Sequence, residues 1–488
     1  MKILARLAKA IAAIVALLVL LIGGLYLFAP GLHLSSLEMV LNVMTGRGSD
    51  RPTDELLQRL HAPEGYQVSI FARDLPHPRM LARDSAGRLL VSNPRSGEII
   101  VLEDSNGDGA ADRTRTVIDG LRRPHGLALY DGFLYIAESH QVGRLPYNAE
   151  DGSTGEYSVV TGGFTDEGNH WSKSLAIDEA GNLFVAMGST CNVCLEEDER
   201  RATIMRFDSD GGNGRIYASG LRNSVGLAFA PWDGSLYATD NGRDLLGDDY
   251  PPCELNRIVD NGFYGWPYLN GNNEPDPDFG DQGGELEAAA LPPVFEFPAH
   301  NAPLGIYFPN ATARFALVAL HGSWNRSTPD GYRVLRLSWD SDDNITSEDF
   351  LWGFEEQGDI VGRPVDITGD GQGGVFVSDD YAKVIYRVSP RSDLASAGTL
   401  TEQSVQTVFA LDADLVSAGA ALYASMPCAS CHGETAGTPV VLENLSARYT
   451  PDSLADYFLT PTSPMPRYEL LPEQRQQLAH YLLSLEAP

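Results

Sequence analysis

One pattern recurs six times along this chain, and it narrows the fold more than any other feature. A turn carrying Gly or Asp leads into a short apolar run that ends in small residues. The copies begin at Gly87, Gly132, Gly181, Gly234, Arg314 and Gly373, so successive steps are 45, 49, 53, 80 and 59 residues. Gly87-Arg88-Leu89-Leu90-Val91-Ser92 is the first copy and Gly373-Gly374-Val375-Phe376-Val377-Ser378 the last, with second strands following at 98–102 and 384–388. Short apolar runs bounded by turn residues read as buried strands. Periods of about 40–50 residues with several strands per unit mark the blades of a propeller. The expectation is a mainly β fold, a six-bladed propeller over residues 61–395; a plain two-sheet sandwich does not explain six matching repeats. The long step contains residues 270–290, polar and rich in Gly, Pro and Asp, read as an insertion over one face.

The two ends of the chain differ from this middle. Lys2, Arg6 and Lys9 precede an uncharged apolar stretch from Ala10 to Ala29. Twenty helical residues span about 30 Å, the thickness of a bilayer core. The basic flank predicts a cytoplasmic N-terminus, with the rest of the chain outside. Residues 1–30 are therefore expected to form a membrane anchor helix, with a cleaved signal peptide as the alternative, and 31–60 a stalk with a short amphipathic helix. The expected location is the periplasmic face of a bacterial inner membrane. The chain carries 35 Lys and Arg against 66 Asp and Glu, a net charge of −31. So large an acidic excess excludes a nucleic-acid partner, which needs a basic footprint. Of five cysteines, Cys191 and Cys194 form a C-x-x-C without a following His. Outside the cytoplasm that spacing predicts a local disulfide.

After a polar linker at 396–410, apolar residues take helical spacing over 411–426 and 473–485, which predicts a separate all-α domain over 411–488. Its Cys428-Ala429-Ser430-Cys431-His432 is the c-type haem attachment signature. Cys428 and Cys431 form thioethers to the porphyrin while His432 reaches the iron. Met465, 33 residues further on in Ser463-Pro464-Met465-Pro466, is the expected sixth ligand. The tail closely resembles a small class I cytochrome c domain with covalent haem c.

A propeller joined to an electron carrier suggests a dehydrogenase whose electrons leave singly. No G-x-G-x-x-G follows a strand, so a nicotinamide or flavin site of that type has no support. Four polar segments stand out: Gly168-Asn169-His170-Trp171, Leu221-Arg222-Asn223-Ser224, Asp240-Asn241-Gly242-Arg243 leading on to Tyr264-Gly265-Trp266-Pro267, and Val361-Gly362-Arg363-Pro364. At these residues the chain resembles the soluble quinoprotein glucose dehydrogenase and sorbosone dehydrogenase family. These are six-bladed propellers that bind pyrroloquinoline quinone (PQQ) and calcium and oxidise sugars. The resemblance implies His170 as the base for the sugar hydroxyl, with Arg222 and Asn223 bracketing the quinone. It implies backbone carbonyls of Gly242 and Arg243 as calcium ligands, with Asp248, Asp249 and Glu254 as an acidic cluster for a second calcium. Arg363 would lie over the cofactor's carboxylates. The family's fifth-blade Lys is absent from Leu320-His321-Gly322-Ser323-Trp324-Asn325-Arg326. His321 or Arg326 would substitute for it, and Trp324 would stack on a planar cofactor.

A further cation candidate is Asp104-Ser105-Asn106-Gly107-Asp108, where Asp104, Asn106 and Asp108 alternate as in the first half of an EF-type calcium loop. Position 115 is Arg rather than the bidentate Glu, so an Asx-rich turn is the competing reading. The expected function is a PQQ- and calcium-dependent dehydrogenase acting on an aldose or sorbosone-like sugar. It would pass electrons to its own haem and then to a downstream acceptor such as another cytochrome. A calcium-dependent propeller hydrolase of lactonase type, and a binding propeller with a relay haem, are the alternatives.

Overall fold

Each repeat becomes one antiparallel blade. The computed structural model describes residues 34–49, 51, 53–309 and 313–391, and in the tail 413–426, 428, 432, 451–458, 468 and 470–485. The innermost strands are Leu81–Arg83, Leu127–Tyr130, Lys173–Ile177, Ser224–Phe229, Pro303–Tyr307 and Pro364–Gly369. They touch one another in cyclic order, so the blades stand in a ring. The recurring motif is the second strand of every blade: Leu89–Asn93, Phe133–Ala137, Leu183–Met187, Leu236–Asp240, Phe315–Leu320 and Val375–Asp379. Four of these are buried along their whole length. A strand flanked by blades on both faces has no solvent side, which is why its sequence runs apolar instead of alternating.

The sixth blade borrows its outermost strand from the start of the fold. Tyr66–Ala72 pairs antiparallel with Val384–Pro390, setting Val68 opposite Val388 and Ile70 opposite Tyr386. Nothing in the repeat pattern announced this closure. The core is correspondingly divided into layers, one between each pair of neighbouring blades. Leu90, Ile99, Leu134 and Ile136 fill the first interface, and Phe71, Leu89, Val91 and Phe376 fill the one that closes the ring. Each such side chain contributes about 1.5–3 kcal/mol on burial.

Pairing register decides where the site lies. Lys173 faces Met187, Ser224 faces Asp240, Pro303 faces Leu320 and Pro364 faces Asp379. Residues ahead of each innermost strand and residues behind each second strand therefore emerge at the same end of the ring. The long step between the fourth and fifth repeats is an excursion inside the fourth blade. It adds Gly262–Phe263 to the third blade, a hairpin of Leu269–Asn270 with Glu274–Pro275, and the helix Glu285–Ala289. Phe295–Phe297 then completes the sheet.

Within the segment expected to be a stalk with a short amphipathic helix, residues 34–60 include such a helix and pack on the propeller. Helix Leu37–Thr45, capped by Ser36 and ended by Gly46 in the left-handed region, lies against the propeller with Met39 only 2% exposed. Ser35 N donates to Trp324 O and Ser49 N to Tyr381 O, while Arg51 and Arg59 pair with Asp359. Among the described residues no helix is long and apolar enough to cross a membrane; the 10–29 stretch lies outside them.

The chain divides into two compact units between Leu394 and Ala395. In the second, helices Ala413–Ser425, Pro451–Tyr457 and Pro472–Ser484 share a core of Leu454, Phe458, Leu478, Leu482 and Leu483. The first and last cross closely at Gly419, where a Cβ would clash with Gln477 O. Gly419→Val should therefore destabilise this unit by about 1–3 kcal/mol. Calorimetry should show its transition lowered and that of the propeller unmoved.

Candidate active site at the mouth of the propeller

At the converging end of the ring, the fourth blade builds the first half of the site. Asp240 closes its second strand, and the carboxylate turns back on the chain. Oδ2 accepts from Arg222 N at 2.8 Å, and Oδ1 accepts from Asn223 N at 2.6 Å and Ser224 Oγ at 3.1 Å. Burial pushes this carboxyl up to about 7, against the pull of those donors and of the Arg222 charge. The turn it folds aims the Arg222 side chain, which is 4% exposed. Every guanidinium N–H is used. Nε donates to Asn192 O, Nη1 to Asn241 O and Gly242 O, and Nη2 to Asn192 Oδ1 and Asp244 Oδ2, all between 2.8 and 3.1 Å. Its five donors are spent within the protein, so Arg222 presents its charge rather than a free N–H to the mouth.

His170, from the loop before the third innermost strand, stands beside this group. Its Nδ1 lies 3.0 Å from Ser189 O and 2.9 Å from Ser189 Oγ. Ser189 Oγ gives its own proton to Cys191 O at 2.7 Å. Both partners of Nδ1 therefore accept, so Nδ1 carries the hydrogen and Nε2 the lone pair. Burial pushes the imidazole down to about 3, helped by the Arg222 charge. Gly188 allows the approach: a Cβ there would meet Asn223 Oδ1 at 2.6 Å and His170 Cβ at 2.7 Å. Arg201 fixes the loop by donating to the carbonyls of His170, Ser189 and Thr165. His170, Arg222 and Asn223 are brought together.

The opposite rim gathers Arg79 and two histidines around one carboxylate. The Asp380 side chain is 8% exposed, accepting from Arg79 Nη1 at 2.7 Å and His321 Nε2 at 2.9 Å, with His77 Nε2 at 3.7 Å. Burial alone would raise its carboxyl; His321, Arg79 and His77 hold it well below the usual range. Burial pushes His321 down to about 4, aided by Arg363, whose Nε and Nη2 donate to His321 O and Gly322 O. His77, Arg79, His125 and Asp380 escaped the sequence reading. So did a lysine: Lys173, from the third blade rather than the fifth, donates to Trp171 O and is pushed down to about 7 by burial, with Arg201 adding to the effect. The repeat register carried a signal, since Arg79, His125, His170, Arg222 and Arg363 all stand one to three residues ahead of an innermost strand.

Several expected residues lie elsewhere. Arg326 is committed to the neighbouring loops, donating to Asp248 O, Ala299 O and Asp249 Oδ1. Asp248 accepts from Ser327. Asp249 is paired with Arg326, and Glu254 is buried with Oε1 on Gly271 N and Oε2 on Asn256 Nδ2. These three acids do not converge, and burial pushes Glu254 up to about 8, with Asp240 adding repulsion. Gly242 O is taken by Arg222. The Arg243 side chain clamps the insertion through Asp276 and Asp278, the first pair at 2.7 Å and buried. Asp104 turns its oxygens onto the backbone N–H groups of Gly107, Asp108 and Gly109, while Asn106 and Asp108 serve the same turn. That loop is an Asx turn. Among the described residues the only group of three metal-type side chains is Cys191, Cys194 and Glu196, and those cysteines form a disulfide. Of the oxygens expected for calcium, Gly242 O accepts from Arg222, and Asp248, Asp249 and Glu254 are each spent on separate protein partners. Trp324 is 39% exposed. In the tail, His432 N donates to Cys428 O, one helical turn apart; Cys431 and Met465 lie outside the described residues.

The mouth does suit a polycarboxylate with carbonyl oxygens. Basic groups outnumber acidic ones, and two buried polar atoms at this end, Asn93 Nδ2 and Asn301 Oδ1, lack partners. Fold and site together define a six-bladed propeller oxidoreductase joined to a cytochrome c domain. The chain belongs to the TrAA12-like family, whose model matches residues 60–254 and 275–391. Residues 414–482 match the cytochrome C oxidase, cbb3-type, subunit III model. An uncharacterised protein of Borreliella burgdorferi is 30% identical over 69% of this chain and 92% of its own length. A pyrroloquinoline quinone-dependent pyranose dehydrogenase of Coprinopsis cinerea is 26% identical over 57% of this chain, which spans 44% of that protein. A pyrroloquinoline quinone-dependent sugar dehydrogenase of Hypocrea jecorina is 28% identical over 54% of this chain and 73% of its own. Among solved structures, the calcium form of the Trichoderma reesei family AA12 enzyme superposes with a TM-score of 0.59, 22% identity, and coverage of 68% and 97% of the two chains. The holo PQQ domain of the Coprinopsis enzyme gives 0.58 and 20%, with coverage of 68% and 97%.

The buried histidines set a pH dependence. Burial pushes His77 down to about 4 from an ordinary 6.5. Below pH 6.5 the unfolded chain takes up a proton that native His77 refuses until about pH 4, so stability falls with pH across that window. Relative to His77→Gln, the wild type should lose about 1.4 kcal/mol per pH unit between 6.5 and 4. Urea unfolding of both proteins at pH 7, 6 and 5 measures the difference.

Proposed function

We propose that this chain is a PQQ-dependent sugar dehydrogenase that passes electrons singly to its own haem c. The reading rests above all on His170. Its imidazole is neutral with Nδ1–H tied to Ser189 and Nε2 left as a base, beside the Arg222 charge. Cofactors of that class, when bound, take a hydride from a carbinol carbon and hand the electrons on one at a time. His170 Nε2 would accept the proton of the sugar hydroxyl as that hydride leaves. Arg222 would stabilise the negative charge that grows beside it, without giving up any of its hydrogen bonds. Arg363 and Arg79 would hold the carboxylates of the bound group, since both guanidinium groups stand on one rim with a single acid, Asp380. Haem attached through Cys428, Cys431 and His432, with Met465 as sixth ligand, would receive the electrons and release them to a further acceptor such as another cytochrome. The sugar and pyranose dehydrogenase activities of the Hypocrea and Coprinopsis relatives support this substrate class.

Purified holo-protein, reconstituted with PQQ in calcium-containing buffer, should show its haem α-band rise on addition of an aldose. Without the quinone the band should stay flat. His170→Ala should lower the rate about 100-fold or more while leaving the oxidised haem spectrum unchanged. Equal haem reduction with and without quinone would refute the reading.

The same proposal keeps the protein on the outer face of the inner membrane through residues 10–29. Helix Leu37–Thr45 supports this with a second apolar side: Leu37, Leu41 and Met44 are 62%, 51% and 79% exposed while Met39 is buried against the propeller. A helix apolar on two faces wants two partners. Removing residues 1–33 and replacing Leu37, Leu41 and Met44 by Gln should move the protein from the membrane to the soluble fraction. Membrane retention of that variant would count against the anchor.

A further inference from the structure

Both residues assigned to chemistry hang on one short loop. Ser189 N donates to Arg222 O at 2.7 Å, and Ser189 O and Oγ hold His170 Nδ1. Ser189 Oγ in turn donates to Cys191 O, inside the ring closed by the Cys191–Cys194 disulfide. The next residue, Asn192, has its amide and carbonyl fully committed. Its backbone O accepts from Arg222 Nε, and its Oδ1 accepts from Arg222 Nη2 and from Asp244 N. Its Nδ2 donates to Asp244 O at 3.0 Å. Two donors on one side and a carbonyl on the other fix which way this amide points. Asp244 completes the frame with a carboxylate on Arg222 Nη2 and 3.5 Å from His300 Nδ1.

No strand pairing orders residues 188–194, which lie between Leu183–Met187 and Thr203–Phe207. Freezing such a loop costs conformational entropy in every residue. A local cross-link lowers that cost by removing open conformations. Below the loop, Thr190 is tied to Glu196 through N and Oγ1 at 2.6 and 2.7 Å, so the ring is anchored on its far side too.

We propose that Asn192, held in the ring closed by the Cys191–Cys194 disulfide, is a positioning residue that sets Arg222 for the reaction, while Cys191 O of the same ring, through the Ser189 hydroxyl, sets His170. The role rests on the sugar dehydrogenase reading. A merely stabilising disulfide would need no contact with either residue; this one encloses the Asn192 oxygens that aim Arg222 and the Cys191 carbonyl that orients the Ser189 hydroxyl on His170.

Three full-length holo-proteins test it: wild type, Asn192→Ala, and Cys191→Ser with Cys194→Ser. Each is assayed for kcat and KM with an aldose, for PQQ affinity by tryptophan quenching, for melting temperature, and by 15N-edited NMR of the His170 imidazole. Losing acceptors to a charged donor should lower kcat about ten- to hundredfold in both variants and weaken PQQ binding, with KM changed far less. In the cysteine variant the imidazole should pass from the Nδ1–H tautomer to a mixture without any quinone present. Reductant should reproduce this in the wild type, and reoxidation should reverse it. Unchanged kcat, PQQ affinity and tautomer, with only a lower melting temperature, would overturn the positioning role. A wild type with an ordered tautomer that binds no PQQ and oxidises no sugar would overturn the functional reading instead.

Discussion

The pairing of Tyr66–Ala72 with Val384–Pro390 is the constraint from which the rest of this structure follows. It joins residues more than 300 positions apart in sequence, so it forms at a high entropic cost of chain closure. Once made, it leaves no blade with a free inner flank. Every second strand then lies between two apolar layers, and every innermost strand is pressed against two neighbours. The mouth is a by-product of that geometry. Six strand starts converge at one end, and whatever residues precede them are forced within reach of one another.

At that end the molecule keeps more positive charge buried than its overall −31 suggests. The two halves manage it differently. On one rim a single carboxylate, Asp380, answers Arg79, His321 and His77, and burial keeps both histidines neutral. On the other, Arg222 is satisfied almost wholly by neutral carbonyl and amide oxygens, with Asp244 its one anionic partner. A guanidinium so held keeps most of its charge available to a ligand, because carbonyl dipoles offset it less than a second carboxylate would. The Gly242 oxygen expected to coordinate a cation does so after a fashion, since the cation it meets is Arg222.

Much of the propeller was legible because its information is periodic. Buried second strands must be apolar and short, and the turns before them must reverse sharply, so Gly181 and Gly373 sit at φ +83 and +88. The closing strand was illegible because 66–72 belongs to no repeat and finds its partner only through the closed ring. In the site, His170, Arg222 and Asn223 could be found from local segments, and the structure sets them side by side. The acids could not. Asp248, Asp249 and Glu254 are close in sequence, yet a strand start separates them. Their distinct tasks, pairing with Arg326 and pinning Gly271, depend on loops remote in sequence. Asn192 and Ser189 carried no motif of their own; C-x-x-C announced the cross-link but not what it encloses.

That last gap has a physical reason. A side chain that donates or accepts through a long-range bond leaves a signature only in its partner's position, and the partner here is a blade away. The insertion behaves in the same manner. Arg243 reads as part of an Asn-Gly-Arg turn, but its guanidinium leaves that turn to meet Asp276, 1% exposed, within residues 269–289. Breaking a buried pair of this kind costs about 3–5 kcal/mol because the remaining charge is stranded. The clamp therefore ties the insertion to the loop that also carries Asn241, Gly242 and Asp244, all of which contact Arg222. The insertion and Arg222 are thereby joined through one stretch of backbone, residues 241–244. Through it, the excursion that sets this chain's fourth blade apart reaches the centre of the mouth.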